Sequence, residues 1–379
     1  MDGSLITFFR SLTGWDAAWI LGGMNTRVCT IAVCFLCAVL FAMGGGEPTR
    51  SEVESAIAEA GRTDPEWWAS VSLDYPKQLR LDWPAARDEK RWEPERNPGQ
   101  YLTGIVYLYP KQWRATAKLF HHMLEVNRER PAIRARVMDR LGHIYASLLD
   151  DYARGAYWYG SAAAEGVTST DQQVELARCY WKLGSRELAS ETLARVGYPN
   201  SSAVLVWAEM GDLDRAMQVA EVAATGRQAA QVYLAAGEAC RSHADPAHAG
   251  DWYHRIVKGT SRGNRQRMNS YRQCARDAMD AIRAGESLDL NTLSDGTFRG
   301  EATGFRGRVE VAVAVKDHAI VSVKVTDHQE DWFFTCLEAL PRQVIENQGL
   351  AGVDAVTGAT MTSSAIVSAT AKALGLAKR

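Results

Sequence analysis

The sequence predicts a multi-domain chain with three parts: an N-terminal transmembrane helix, an α-solenoid of short helical hairpins, and a small α+β domain at the C-terminal end. Three observations predict it. Residues 28–46 carry no charged side chain. Residues 113–284 show helical periodicity, interrupted at short intervals by glycine or by polar pairs. Near the C-terminal end the period changes to two, with Val309, Val311, Val313 and Val315 alternating with Glu310, Ala312 and Ala314. A length of 379 residues agrees with two or three domains.

Residues 1–27 read as a cytoplasmic segment and 28–46 as the anchor. Nineteen helical residues at about 1.5 Å each approach the ~30 Å hydrocarbon thickness. Arg27 bounds the run on one side, and Glu47, Arg50, Glu52 and Glu54 bound it on the other. Arg10 and Arg27, against two acidic residues, give a modest positive-inside bias that places the body outside the cytoplasm. A cleaved signal peptide is the competing reading, because small residues follow Leu40. A 27-residue leader is long for one, which favours an uncleaved anchor. Cys29, Cys34 and Cys37 lie in the run and read as small apolar packers, although Cys34 and Cys37 form a C-x-x-C. Cys179, Cys240, Cys274 and Cys336 show no haem, iron–sulfur or zinc spacing.

Residues 47–112 are dense in Pro, Trp and Tyr, as in Trp67-Trp68, Tyr75-Pro76, Trp83-Pro84 and Tyr109-Pro110. Proline at this density argues against long helices, with periodicity confined to 50–60 and 102–107. The expectation is an irregular strap packed on the helices that follow; a flexible stalk rarely carries so many large aromatics.

Residues 113–290 read as helical repeats. Leu141-Gly142-His143-Ile144-Tyr145 and Trp158-Tyr159-Gly160-Ser161-Ala162-Ala163-Ala164-Glu165-Gly166 resemble Sel1-like and tetratricopeptide repeats, with small residues at helix contacts and Gly closing the first helix of a pair. Gly184, Gly211 and Gly237 mark steps of 27 and 26, short for either class, so an irregular solenoid is expected. Its extended surface suits a partner protein, and the competing reading is a spacer. A solenoid that only docks partners predicts that its deletion leaves the C-terminal site intact. His121, His122, His243 and His248 lack a convergent carboxylate or Cys pattern and read as surface or packing residues.

The C-terminal region, 294–379, opens on Asp295-Gly296-Thr297-Phe298-Arg299-Gly300 and continues through Gly304-Phe305-Arg306-Gly307. A strand at 309–315 is followed by a second at 319–325, with Val321, Val323 and Val325 expected on one face. Lys316-Asp317-His318 must turn between them, and His318 stands where a hairpin turn favours Gly. A helix is expected over 335–347, ended by Gly349. Then comes Asp354-Ala355-Val356-Thr357-Gly358-Ala359-Thr360, followed by a helix with Thr362, Ser363 and Ser364 as N-cap candidates and Gly375 as its stop. A loop of small side chains at a helix N-terminus is suited to phosphate.

The seven-residue segment resembles the Asp-x-x-Ser/Thr-Gly-Ala-Thr flavinylation motif of the FMN-binding domain family, which includes peripheral subunits of the Rnf and sodium-pumping NADH:quinone oxidoreductase complexes. The Asp295–Gly300 opening and the strand-turn-strand context extend the likeness over roughly the last 85 residues. The resemblance implies FMN joined through its phosphate to Thr360, with Asp354, Thr357, Gly358, Ala359, Thr362 and Ser363 around it, and an FMN transferase for maturation. Glu330 is a candidate pocket residue, although Asp331 stands where the family often has Thr. Trp332-Phe333-Phe334 either stack on the flavin ring or fill the small core. Thr357 and Thr360 have an ordinary loop-and-cap alternative. Asp354 is either a turn residue or a group that positions a metal or the transferase during attachment.

Composition bounds the rest. A formal net charge of −2 implies no broad basic face for nucleic acid. No G-x-G-x-x-G follows a strand, so no nicotinamide fold is present. The expected function is a membrane-anchored extracytoplasmic flavoprotein. It would relay electrons within an oxidoreductase complex, meeting membrane redox partners through the helical repeats. The alternatives are a helical scaffold with a weak or empty FMN domain and a flavin-based redox sensor.

Overall fold

The computed structural model describes residues 47–83, 91–225, 228–259, 264–286, 288–330 and 335–378. The expected anchor at 28–46, its three cysteines, the Trp332–Phe334 run and Arg379 lie outside the described residues. Among those described, no helix is long and apolar enough to cross a membrane. The architecture is mostly helical, with one three-stranded antiparallel sheet near the C-terminal end.

Helix α1 (Arg50–Arg62) starts on a capping box in which Thr49 and Glu52 satisfy each other's backbone donors. A strap of turns follows, and Tyr75, Leu79 and Trp83 pack on the helices behind them. Trp83 meets Phe120 edge-on at 5.9 Å, and Lys118 Nζ donates to the carbonyls of Trp68 and Val71. Helix α2 (Pro98–Gly104) begins with Asn97 as cap and Pro at its first position, where the missing N–H costs nothing. Tyr101 and Tyr107 join Trp83 in the same core, so several of the segment's described aromatics are packed.

Ten further helices follow among the described residues: α3 (Trp113–Val126), α4 (Pro131–His143), α5 (Tyr152–Ala164), α6 (Thr170–Lys182), α7 (Arg186–Ala194), α8 (Ser201–Glu209), α9 (Leu213–Ala223), α10 (Ala229–Ser242), α11 (Pro246–Lys258) and α12 (Arg265–Glu286). Helix α4 runs on into a π-turn at Ile144–Leu148. A single device makes four of the hairpin corners. Asp150, Gly184, Gly211 and Ala244 each take positive φ, and the next residue (Asp151, Ser185, Asp212, Asp245) caps the following helix.

These corners correct the spacing read from glycines. Gly237 does not end a helix; it lies inside α10, where a Cβ would sit 2.3 Å from the Tyr253 ring. The corner after Gly211 is Ala244, so the steps from Asp150 onward are 34, 27 and 33 residues. The glycine at 237 serves close helix packing, and a non-glycine residue makes the turn.

In the C-terminal domain β1 (Gly296–Thr303), β2 (Arg308–Lys316) and β3 (Ala319–His328) pair in that order. Val309, Val311, Val313 and Val315 all face the core. The expected common face of Val321, Val323 and Val325 does not form. A bulge opposite Ala314 and Val315 turns Val321 out to 52% exposure and puts Ile320 in the core with Val323. Helix α13 (Thr335–Asn347) covers β3, and α14 (Thr360–Ala377) crosses β1 and β2. Gly300 explains that crossing, since a Cβ there would lie 2.1 Å from the Ala369 carbonyl oxygen.

Helix α14 departs from expectation at both ends. Its N-cap is Ala359, not Thr362, Ser363 or Ser364, and it continues past Gly375 to Ala377. It is buried on nearly all sides, because α12 and α10 pack on the face that the sheet leaves uncovered.

Candidate functional site

The segment leading into α14 is fixed before the helix starts. Gly358 adopts φ +82°, a conformation that side chains oppose. The Ala359 N–H donates to the Val356 carbonyl at 2.9 Å, and the Val356 N–H donates to Ser363 Oγ at 3.1 Å. Ser363 therefore ties the loop down instead of capping the helix. Thr360 becomes the first residue of an 18-residue helix whose N-cap, Ala359, has no side-chain acceptor for the first-turn N–H groups.

Thr357, Thr360 and Thr362 are all buried, whereas Gly358 is exposed between them. Glu330 is 5% exposed. It accepts from the Arg306 N–H at 2.9 Å and from the Thr362 hydroxyl. Both contacts come from the C-terminal domain, so the carboxylate links the β1–β2 connection to the first turn of α14.

Thr360 lines a cavity of about 140 Å³ with Gly358, Ala359, Thr362 and Glu330. The opposite wall comes from the helical region: Gln231 and Leu234 of α10, and Arg267 and Tyr271 of α12. A hollow of about 230 Å³ adjoins it and shares Arg267 and Phe305. On the other side of the motif a larger cavity of about 480 Å³ touches Asp354 and Thr357 but not Thr360. For chemistry at the Thr360 hydroxyl the smaller cavity is the relevant one. Asp354 is exposed, and its N–H donates to Gln343 Oε1 at 2.8 Å. The structure brings Thr360, Thr362, Glu330, Gly358 and Ala359 to one cavity and leaves Asp354 and Thr357 on the other.

A buried ion pair holds the approach to the motif. Arg241 and Glu238 of α10 are 7% and 1% exposed in their side chains and meet at 2.9 Å. Arg241 also donates to the carbonyls of Leu350 at 3.2 Å and Val353 at 2.7 Å. Burial, then the Glu238 carboxylate, pushes the Tyr253 hydroxyl far above its usual pKa. It therefore keeps its proton and donates to Glu238 at 2.8 Å. Lys372 of α14 similarly meets the Asp277 carboxylate of α12 at 2.8 Å. Cys274, beside Ser364, is pushed up mainly by burial and stays a neutral thiol.

Residues 304–375 match the model of the FMN-binding domain family. The C-terminal region therefore carries an FMN-binding domain, and the motif lies inside the matched span. No curated protein and no solved structure matches the chain. Sequence reasoning missed the wall from α10 and α12. Gln231, Leu234, Arg267 and Tyr271 sit far upstream in helices of ordinary composition, and no local spacing ties them to the motif. Among the described residues no cluster of His, Cys, Asp and Glu could hold a metal ion, and the four described cysteines are free and buried.

Proposed function

We propose that the protein is an electron-relaying flavoprotein whose FMN is joined through its phosphate to Thr360. The observation that carries this is the position of Thr360: the first residue of an uncapped 18-residue helix, lining a cavity, within the span matched to the FMN-binding domain. Fit supports it. First-turn N–H groups and the positive end of the helix dipole suit a phosphate. About 140 Å³ takes the phosphate end of FMN, and the adjoining 230 Å³ hollow offers room beyond it.

The residues divide the work. In attachment the Thr360 oxygen forms the ester bond to the FMN phosphorus while the phosphoanhydride bond of an activated FMN donor, held by an FMN transferase, breaks; the departing phosphate takes up the proton that the hydroxyl loses. Gly358 and Ala359 keep the backbone clear of bulk. Glu330 fixes the Thr362 hydroxyl, and Ser363 fixes the loop. FMN supplies one- and two-electron chemistry, which lets such a domain join unlike carriers.

In this reading residues 28–46 anchor the chain in the membrane, the body is extracytoplasmic, and the helical repeats meet a membrane redox partner. Co-expression with an FMN transferase tests the centre of the proposal. Denaturing gels should show flavin fluorescence on the wild type, none on Thr360→Ala, and partial labelling on Thr360→Ser, because only a hydroxyl is required. A wild-type protein that stays colourless would favour the scaffold alternative. Protease added to spheroplasts should digest residues beyond 47, and full protection would place the body inside.

A further inference from the structure

We infer that Arg267, on α12 and outside the matched domain, is the cation that holds the anionic FMN attached at Thr360. This rests on the attachment reading above. Arg267 lines the same cavity as Thr360, and it and Phe305 are common to that cavity and the adjoining hollow. Whatever extends from the Thr360 hydroxyl through the two hollows passes along this Arg267–Phe305 pair.

Two further observations agree. The Arg267 guanidinium carbon lies over the Phe305 ring at 4.1 Å, which holds the cation at the junction of the two hollows. Arg267 also lies in the first turn of α12, the end where the helix dipole disfavours a cation. Glu330, the carboxylate among the described residues that line the cavity, accepts from the Arg306 N–H and the Thr362 hydroxyl. A phosphodiester at Thr360 brings a negative charge into the cavity that Arg267 lines, and guanidinium is well shaped to bind it. The FMN site is thus built by two parts of the chain: the oxygen comes from the C-terminal domain and the cation from the helical region.

The test uses the full-length protein with Arg267→Gln, Arg267→Lys and, as a control, Thr360→Ala. Attachment is followed by intact mass over time, and the flavin midpoint potential by spectroelectrochemistry. In Arg267→Gln attachment slows by about tenfold, the effect of losing one charge-assisted contact. The potential moves to a more negative value, because reduction adds negative charge that the cation no longer offsets. In Arg267→Lys the potential stays near the wild-type value, which a packing role on Phe305 alone does not predict. Wild-type attachment and an unchanged potential in Arg267→Gln, with Thr360→Ala colourless, would overturn this inference and leave the attachment reading standing. Flavin retained on Thr360→Ala would overturn the attachment reading; a shifted potential in Arg267→Gln would still place Arg267 beside the flavin.

Discussion

Asp317 and His318 both take positive φ, 49° and 61°, in the two-residue turn between β2 and β3. That is the hairpin geometry in which glycine is favoured, and here a histidine adopts it. The turn is held from outside, since the Asp317 N–H donates to Asp295 Oδ1 at 3.0 Å. His318→Gly should therefore stabilise the protein by about 0.5–1 kcal/mol, read as a higher melting temperature. Glu330 should behave in the opposite way. Its removal in Glu330→Ala leaves the Arg306 N–H and the Thr362 hydroxyl without their acceptor, at a cost of about 1–3 kcal/mol in a urea titration. No change in the unfolding midpoint would show that water replaces the carboxylate there.

At the scale of elements, the Arg241–Glu238 pair of α10, through which Arg241 grips the Leu350 and Val353 carbonyls, has the largest expected effect. Arg241→Met leaves the Glu238 carboxylate buried without its cation, which costs about 3–5 kcal/mol. The double variant Arg241→Met with Glu238→Leu should recover much of that in equilibrium unfolding. It should not recover the grip on the Leu350 and Val353 carbonyls, so flavin attachment should remain slow in the double variant. The strap and early helices carry a pH dependence. His121 packs edge-on to Trp68 and Trp158, and burial lowers its pKa to about 4; burial lowers that of His143 to about 3. Both stay neutral in the fold while the unfolded chain takes up protons below about pH 6.5. Their contribution is thus complete above about pH 6.5 and is lost as pH falls toward 4, by up to about 1.4 kcal/mol per pH unit for each group. Asp139 and Glu175, raised chiefly by burial, act in the opposite sense. His121→Gln should therefore flatten the fall in unfolding midpoint between pH 6.5 and 4.5, and an unchanged slope would count against a neutral buried His121.

At the scale of the whole molecule, α14 belongs to two cores. Its sheet-facing side joins Val309, Val311 and Leu340, while Met361 at its start joins the core of the helical region. Lys372 and Asp277 span the same contact. Helical repeats that served only as a docking surface would be dispensable for flavin attachment, and this packing argues otherwise. Deleting residues 113–290 uncovers the second face of α14 and removes one wall of the Thr360 cavity. The remaining C-terminal segment should lose ordered helical structure by circular dichroism and fail to take up flavin. A truncated segment that folds and is labelled at the wild-type rate would return the repeats to the role of spacer or docking platform.

The sequence by itself determined what local chemistry encodes. Alternating valines define β2, and the Pro- and Trp-dense segment reads as a packed strap. The Asp354–Thr360 segment is legible as a loop of small residues and hydroxyls ahead of a helix, and its resemblance to a flavinylation motif falls inside the span matched to the FMN-binding domain. Helix boundaries and corners were less legible. Gly237 looks like a stop from composition but is a packing contact, and Ala244 turns the chain where glycine would be expected. Only the tertiary structure decided which hydroxyl caps and which ties, because Ser363 reaches back to Val356 and Thr362 reaches across to Glu330. It alone decided that α10 and α12 close the Thr360 cavity. The physical reason is sequence separation. A period or a motif is written in neighbouring residues, whereas a wall built from residues far upstream exists only once the helices have packed and buried the face they share with α14.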